Sequence, residues 1–220
     1  LEAVIDGAMP KKFNYFDMAD VTIAGQPLVI GRSGFTNELG WEFYMTPDID
    51  HAAVGDHIMA AGAAFGVIIT GSGVFRTRRI EAGLLNAGSD FDETTTPFAV
   101  GLGDFVDFDK GDFIGRAALL GADRSCRTWG MRTTGGVAQL GDTIIIDGEV
   151  VGSVRATAWS PYLQCGVSIV RMRSAQHGPS SEVSVETVDG SAAAVLCSMP
   201  FYDSERLIPR GKLVDIPEVC

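Results

Sequence analysis

Glu42 is the side chain in this sequence best suited to recognition chemistry. It sits in a short aromatic run, Trp41-Glu42-Phe43-Tyr44, reached through the glycine-punctuated stretch Ser33-Gly34-Phe35-Thr36-Asn37-Glu38-Leu39-Gly40. Alternation along a strand places Glu42 and Tyr44 on one face, with Trp41 and Phe43 on the other. Gly34 and Gly40 are expected to supply the unusual backbone angles of a tight loop. A carboxylate beside aromatic rings suits a flat heterocycle with adjacent N–H donors, because its two oxygens can accept both in a bidentate, charge-assisted pair. The competing reading is a surface hairpin on which Glu42 is solvated, and the residues alone leave both open.

The second group of chemistry-bearing side chains is basic. Arg76, Arg78 and Arg79 fall in a stretch from Val74 to Leu84 that reads as a helix. A spacing of three puts Arg76 and Arg79 on one face and Arg78 elsewhere. Without a ligand, these are a solvated or salt-bridged helix face, with Glu81 among the partners. Asp90, Asp92 and Glu93 lack the ligand order of a calcium loop and read as solvated acids. The cysteines, Cys126, Cys165, Cys197 and Cys220, have no close spacing of the kind metal or redox motifs need, and read as buried free thiols. His51 and His57, six apart, read as surface or packing residues, so no metal site is expected.

The 220 residues are 46% apolar and 20% charged, enough for one large or two small globular domains. A net charge of −11 argues against nucleic acid or an anionic membrane as partner, since either favours a basic face. No run of eighteen apolar residues and no signal peptide are visible, so a soluble, cytoplasmic protein is expected.

Several elements must position these groups. Val21-Thr22-Ile23 and Leu28-Val29-Ile30 read as a hairpin around Ala24-Gly25-Gln26-Pro27, delivering the chain to the Phe35 loop. A helix is expected from about Asp48 to Gly62, capped by Asp48 or Asp50, with Ala53, His57, Ile58 and Ala61 as its stripe. A short strand, Val67-Ile68-Ile69, then leads to the arginine-bearing helix, completing an α/β layer. The stretch from Asn86 to Pro97 reads as a loop between modules. After about Cys126 the pattern becomes β-rich. Asp147-Gly148 reads as the two-residue turn of a hairpin over 143–151, and further strands are expected at 152–156, 165–170, 182–188 and 192–198. That pattern suits a small antiparallel barrel or sandwich.

The run Ser33–Glu42 resembles the S-G-Y-T-G-E-x-G-x-E motif of the aminomethyltransferase family, the glycine cleavage T-protein and its relatives, with Phe35 at the usual Tyr and Asn37 at a Gly. Three more landmarks follow in that family's order. Arg79-Ile80-Glu81-Ala82-Gly83-Leu84 resembles R-L-E-A-G-L, and Thr96-Pro97-Phe98-Ala99-Val100-Gly101-Leu102 resembles T-P-x-E-x-G-L. Lys110-Gly111-Asp112-Phe113-Ile114-Gly115-Arg116-Ala117-Ala118-Leu119 is similar to K-x-D-F-I-G-R-E-A-L, best known from relatives fused to dimethylglycine and sarcosine dehydrogenases. Ordered landmarks are far more specific than any one short motif.

The resemblance implies an α+β protein: a folate-binding α/β domain, incomplete at its N-terminal side, then a small antiparallel C-terminal β-barrel. The implied divisions are 1–90, a connecting segment 91–125, and a barrel domain 126–220. It implies a tetrahydrofolate cofactor, with Glu42 accepting from the pterin edge and Phe35 and Tyr44 as walls. Folate's glutamate tail calls for a local cation. Where the T-protein pattern A-R-D-S-L-R-L-E has its Arg, this chain has Phe75, so Arg76, one position along, is the substitute. The barrel loop written G-x-V-T-S-G-x-x-S-P in the family appears as Gly152-Ser153-Val154-Arg155-Ala156-Thr157-Ala158-Trp159-Ser160-Pro161, pointing to an altered substrate or partner.

The implied activity is transfer of an aminomethyl or methyl group from a small methylated or aminomethylated donor to N5 of tetrahydrofolate, by positioning and electrostatics. In T-proteins a catalytic Asp lies well upstream of the pterin-binding Glu. Asp6, Asp17 and Asp20 match no such stretch, so no catalytic residue is assigned. The chain is expected to be part of a longer enzyme, missing its N-terminal segment or needing a partner chain, with an exposed apolar half-interface. The alternative is a non-catalytic folate-binding or interface module of a dimethylglycine or sarcosine dehydrogenase-like protein. An iron–sulfur assembly role is disfavoured, because Asp112 stands where that branch carries cysteine.

Overall fold

The computed structural model describes residues 1–188 and 190–213. They divide into two compact units, one of residues 1–74 with the returning segment from Glu205, the other of residues 75–204.

The first unit is a three-stranded antiparallel sheet, β1 (Met18–Ile23), β2 (Gln26–Gly31) and β3 (Glu42–Tyr44), in that order, with helix α1 (His51–Gly62). Ile23 pairs directly with Gln26, so the hairpin turn is only Ala24-Gly25, two residues shorter than the expected four. Both adopt left-handed angles, φ 52° and 71°, which match the twist of the flanking strands. Ile23, Leu28 and Ile30 bury one sheet face against Val54 of α1 and against Val4, Ile5 and Ile49. Asp50 caps α1, its side chain accepting from the Ala53 N–H at 3.0 Å. The helix buries Val54 fully, with Ile58 and Ala61 packed beside it; Val54, absent from the expected stripe, is its centre.

Val67-Ile68-Ile69 is not a strand. The segment pairs with no strand among the described residues, and Ile68 and Ile69 are 80% and 83% exposed. β propensity alone does not make a strand, because the extended backbone needs a neighbour for its N–H and C=O groups.

Helix α2 (Gly73–Glu81) runs into the second unit, where α3 (Arg116–Leu120) precedes six strands. These are β4 (Arg127–Thr133), β5 (Thr143–Ile146), β6 (Glu149–Ser160), β7 (Cys165–Met172), β8 (Glu182–Thr187) and β9 (Gly190–Cys197). They close as an antiparallel barrel in the order β4-β7-β6-β5-β8-β9, the β4–β9 pairing completing the circle. Closure decides for a barrel and against a sandwich. Met131, Ile144, Val154, Val170, Met172, Val185 and Leu196 fill its interior. The Asp147-Gly148 turn forms as expected, both residues at positive φ.

Strand β4 was not legible in sequence, because Trp129-Gly130 and Arg132 interrupt the alternation. Gly130 belongs there sterically: a Cβ would lie 3.0 Å from the Phe201 ring and 3.1 Å from Cys197 Sγ. Outside the barrel, Ile80 of α2 packs with Ala156, Val167, Ile169 and Phe201, which fixes the helix against strands β6 and β7.

Candidate functional site

Glu42 opens β3 opposite Gly31, and the alternation holds: Phe43 joins the core while Glu42 and Tyr44 face out. Glu42 Oε2 accepts from Ser33 Oγ and from the Tyr44 hydroxyl at 3.0 Å. Oε1 accepts nothing among the described residues. Gly31 makes this convergence possible, since a Cβ there would sit 3.1 Å from the Tyr44 ring and 3.2 Å from Ser33 Oγ. Phe35 and Tyr44 are both half-exposed, at 41% and 47%. The structure thus brings Ser33, Glu42 and Tyr44 together, while Phe35 stands on the loop without a ring partner.

The loop turns on a different residue from the glycines expected to shape it. Neither Gly34 nor Gly40 has positive φ; Asn37 does, at 59°. Asn37 is buried, and its Oδ1 accepts from Arg206 Nη1 at 2.9 Å. Asparagine is among the few residues that tolerate left-handed angles. It occupies the position where the family motif carries glycine, so the backbone requirement is met while a side-chain tether is added.

In the second unit the three arginines separate. Arg76 is exposed, with no hydrogen bond or ion pair among the described residues. Arg78 pairs with Glu81, Nη1 to Oε2 at 2.6 Å, and lies 4.8 Å from the Tyr162 ring centroid. Arg79, expected beside Arg76, is buried instead, its Nη1 2.5 Å from Asp90 Oδ2. The solvated reading of Asp90 is therefore corrected. Asp90 is only 1% exposed and also accepts from the Asn86 N–H at 2.8 Å and Ser89 Oγ at 3.2 Å. A buried carboxylate survives only with such a full set of donors. Asp92 and Glu93 are exposed, as expected. Asp92 is held below the usual carboxylate range first by the Thr94 hydroxyl, then by the Thr94 N–H and the Thr95 hydroxyl.

Glu81 is the polar centre of this unit. It is completely buried, accepting from Arg78, from Tyr202 at 3.1 Å and from Ser160 Oγ at 2.5 Å, while its carbonyl receives the Phe201 N–H at 2.8 Å. The sequence presented it as one possible partner for the arginines and as part of the Arg79–Leu84 landmark, not as a buried centre. The available signal was a carboxylate embedded in Ile80-Glu81-Ala82 and followed by no solvating residue. Burial first, and then the Glu81 charge, push the Tyr202 phenol well above its usual range.

Arg155, one of the residues that depart from the family loop, is the bulged residue of β6: Val154 pairs with Val170 and Ala156 with Ile169, leaving Arg155 without a partner in the ladder. Bulges re-aim a side chain. The Arg155 Nε is buried and unpartnered. Cys165 and Cys197 are free, half-buried thiols. In the first unit, an apolar cleft of about 640 Å³ is lined by Leu1, Trp41, Phe43, Ile58, Phe65 and Val67 among others. No helix among the described residues is long and apolar enough to cross a membrane.

A three-stranded antiparallel sheet with one packed helix, bearing an exposed carboxylate, and a closed six-stranded barrel define an α+β class of protein rather than the expected α/β layer, and comparison with known proteins gives its family. The GCVT N-terminal domain model matches residues 1–110 and the glycine cleavage T-protein C-terminal barrel domain model matches residues 127–203. The chain belongs to the glycine cleavage T-protein family. It is 32% identical over 191 residues to an aminomethyltransferase of Halothermothrix orenii, covering 85% of this chain and 53% of that protein. It is 35% identical over 196 residues to an aminomethyltransferase of a Nostoc species, covering 86% and 50%. A trimethylamine-oxide aldolase of Ruegeria pomeroyi is 34% identical over 196 residues, 85% of this chain but 25% of that protein. The fold matches the crystal structure of glycine cleavage system aminomethyltransferase T from Bartonella henselae, with TM-score 0.71, 24% identity, and coverage of 79% and 49%. The chain spans about half the length of the curated aminomethyltransferases it matches.

Proposed function

We propose that this chain is the C-terminal portion of a tetrahydrofolate-dependent one-carbon transferase, acting on a small methylated or aminomethylated donor. The observation that carries the reading is Glu42: an exposed strand carboxylate with one oxygen loaded by Ser33 and Tyr44 and the other accepting nothing among the described residues. Oε1 can take one pterin N–H directly. A second takes the place of a hydroxyl on Oε2, which needs only rotation of the Ser33 O–H away from the carboxylate. Phe35 and Tyr44, both half-exposed, are the candidate walls. Tetrahydrofolate, when bound, supplies the nucleophilic nitrogen that accepts the one-carbon unit; this chain's residues bind and orient it.

The acid group for the transfer is assigned to sequence outside this chain, in keeping with the half-length coverage of the relatives. A second reading, a folate-binding or interface module of a longer dehydrogenase-like protein, draws on the Ruegeria relative, in which the matching region is about a quarter of the protein. A flavin-binding domain upstream in the full reading frame distinguishes the second reading from the first.

Titration calorimetry with tetrahydrofolate tests the cofactor assignment. Glu42→Gln presents a donor where the pterin needs an acceptor, and is expected to weaken binding by about 2 kcal/mol, near 30-fold. Unchanged affinity refutes it. Arg76, exposed and with no ion pair among the described residues, is the candidate for the folate carboxylates, so Arg76→Ala is expected to lose affinity where Arg78→Ala does not.

A further inference from the structure

A pocket of about 380 Å³ in the first unit is lined by Asn14, Tyr15, Phe16, Arg32, Arg210 and Lys212. We propose that this pocket binds a planar aromatic or heteroaromatic dianion, its charged head against Arg32, Arg210 and Lys212 and its ring against Phe16 and Tyr15. Three independent features of the pocket support this.

The first is charge. The chain carries a net −11, yet three cations line one small cavity, and no carboxylate among the described residues lies within ion-pair distance of any of them. Asp17, next in sequence to Phe16, is occupied on Oδ2 by the Asn14 N–H at 2.6 Å. Like charges that no described residue neutralises repel, and an anion relieves that repulsion.

The second is the Arg32 guanidinium. Nη1 donates to the Phe13 carbonyl at 2.6 Å and Nη2 to the Arg210 carbonyl at 2.9 Å, which fixes the fork in place. Its Nε is buried and has no partner among the described residues. A buried donor left unsatisfied is costly, and a pre-positioned guanidinium is the side chain best matched to a planar oxyanion.

The third is Phe16. Its φ is 73°, a left-handed conformation unfavourable for a bulky side chain; the residue is 74% exposed, its ring centred 4.1 Å from the Tyr15 ring at 38°. Strain and apolar exposure at a single position are the marks of a residue held for contact rather than for packing. The backbone carrying it is firm: the Phe16 N–H donates to the Arg32 carbonyl and the Arg32 N–H to the Asp17 carbonyl, each at 2.9 Å. The volume lies at the small end of ligand clefts, enough for one ring and its charged group and too small for a dinucleotide.

The test is calorimetric titration of the intact chain at low ionic strength with phenyl phosphate, phthalate and inorganic phosphate. A ring-bearing dianion is expected to bind at least about tenfold more tightly than inorganic phosphate, a ring contact adding to the charge term. Preference for phenyl phosphate assigns the head as a phosphate monoester; preference for phthalate assigns a dicarboxylate. Arg210→Ser and Lys212→Ser, whose side chains bond nothing among the described residues, are each expected to weaken binding about tenfold without lowering Tm. Phe16→Gly relieves the backbone and is expected to keep or raise Tm while weakening the ligand, the reverse of a structural role. Tetrahydrofolate affinity stays at the parent value in Arg210→Ser, so this pocket and the Glu42 reading fail separately. Absence of binding by both ring-bearing dianions, or affinities unchanged in Phe16→Gly and in both serine variants, overturns the proposal.

Discussion

Replacing Glu81 with glutamine preserves its shape and removes one acceptor oxygen and the charge, at a residue with no solvent exposure. In the parent, Oε2 holds Arg78 at 2.6 Å and Tyr202 at 3.1 Å, and Oε1 holds Ser160 at 2.5 Å. If the amide oxygen faces Arg78 and Tyr202, the amide nitrogen faces Ser160 Oγ, which already accepts the Leu163 N–H at 3.0 Å. The serine hydroxyl proton then loses its acceptor, and the Arg78 contact falls from an ion pair to a bond with a neutral oxygen. Two such losses of about 1–1.5 kcal/mol each total about 2–3 kcal/mol. At about 2–4 °C per kcal/mol for a chain of this size, calorimetry should show a melting temperature lower by about 4–12 °C. A shift below about 2 °C refutes the reasoning, because it would mean that the buried carboxylate contributes no more than an amide would.

The Cys197 thiol gives a pH signature. Burial raises it from 9.0 to about 11. A raised folded-state value means that the protonated thiol contributes stability in full below pH 9, and that this contribution is lost as pH rises toward 11. Urea melts are therefore expected to lose about 2 kcal/mol across that window, and Cys197→Ala to flatten the slope there; an equal slope in the variant refutes the attribution. Gly31→Ala brings a methyl 3.1 Å from the Tyr44 ring and displaces it from Glu42. Because Tyr44 is half-exposed and free to move, the stability cost is expected to stay below about 1 kcal/mol while tetrahydrofolate affinity falls several-fold; retained affinity separates Tyr44 from the site.

The hairpins and the barrel strands β5 to β9 were legible because their signals are local. Gly25 and Asp147-Gly148 favour the left-handed angles of tight turns, and β-branched runs on either side pair in a register that buries one face. Asp50 announced the start of α1 by the same local chemistry. What failed depended on a distant partner. Val67-Ile68-Ile69 has strand composition and no neighbour to pair with, and β4 has poor strand composition and two neighbours, β7 and β9. Asp90 looked solvated because its partner, Arg79, lies eleven residues away and was expected to share a helix face with Arg76, which is exposed.

The candidate site divides in the same way. Residue order alone placed Glu42 and Tyr44 on one face of an aromatic strand and Trp41 and Phe43 on the other, since alternation is a property of consecutive residues; that the Glu42 face is the outer one was decided by the fold. Its family followed from four landmarks in sequence order. Only the folded chain decided that Ser33 and Tyr44 load one oxygen and leave the other, that Gly31 makes room for them, and that Asn37, tethered to Arg206, shapes the loop. The physical reason is reach. Dihedral preferences and alternation act within a few residues, whereas the partners of the buried Glu81 carboxylate and of the Asn37 loop residue lie up to 121 and 169 positions away, and no local pattern encodes their meeting.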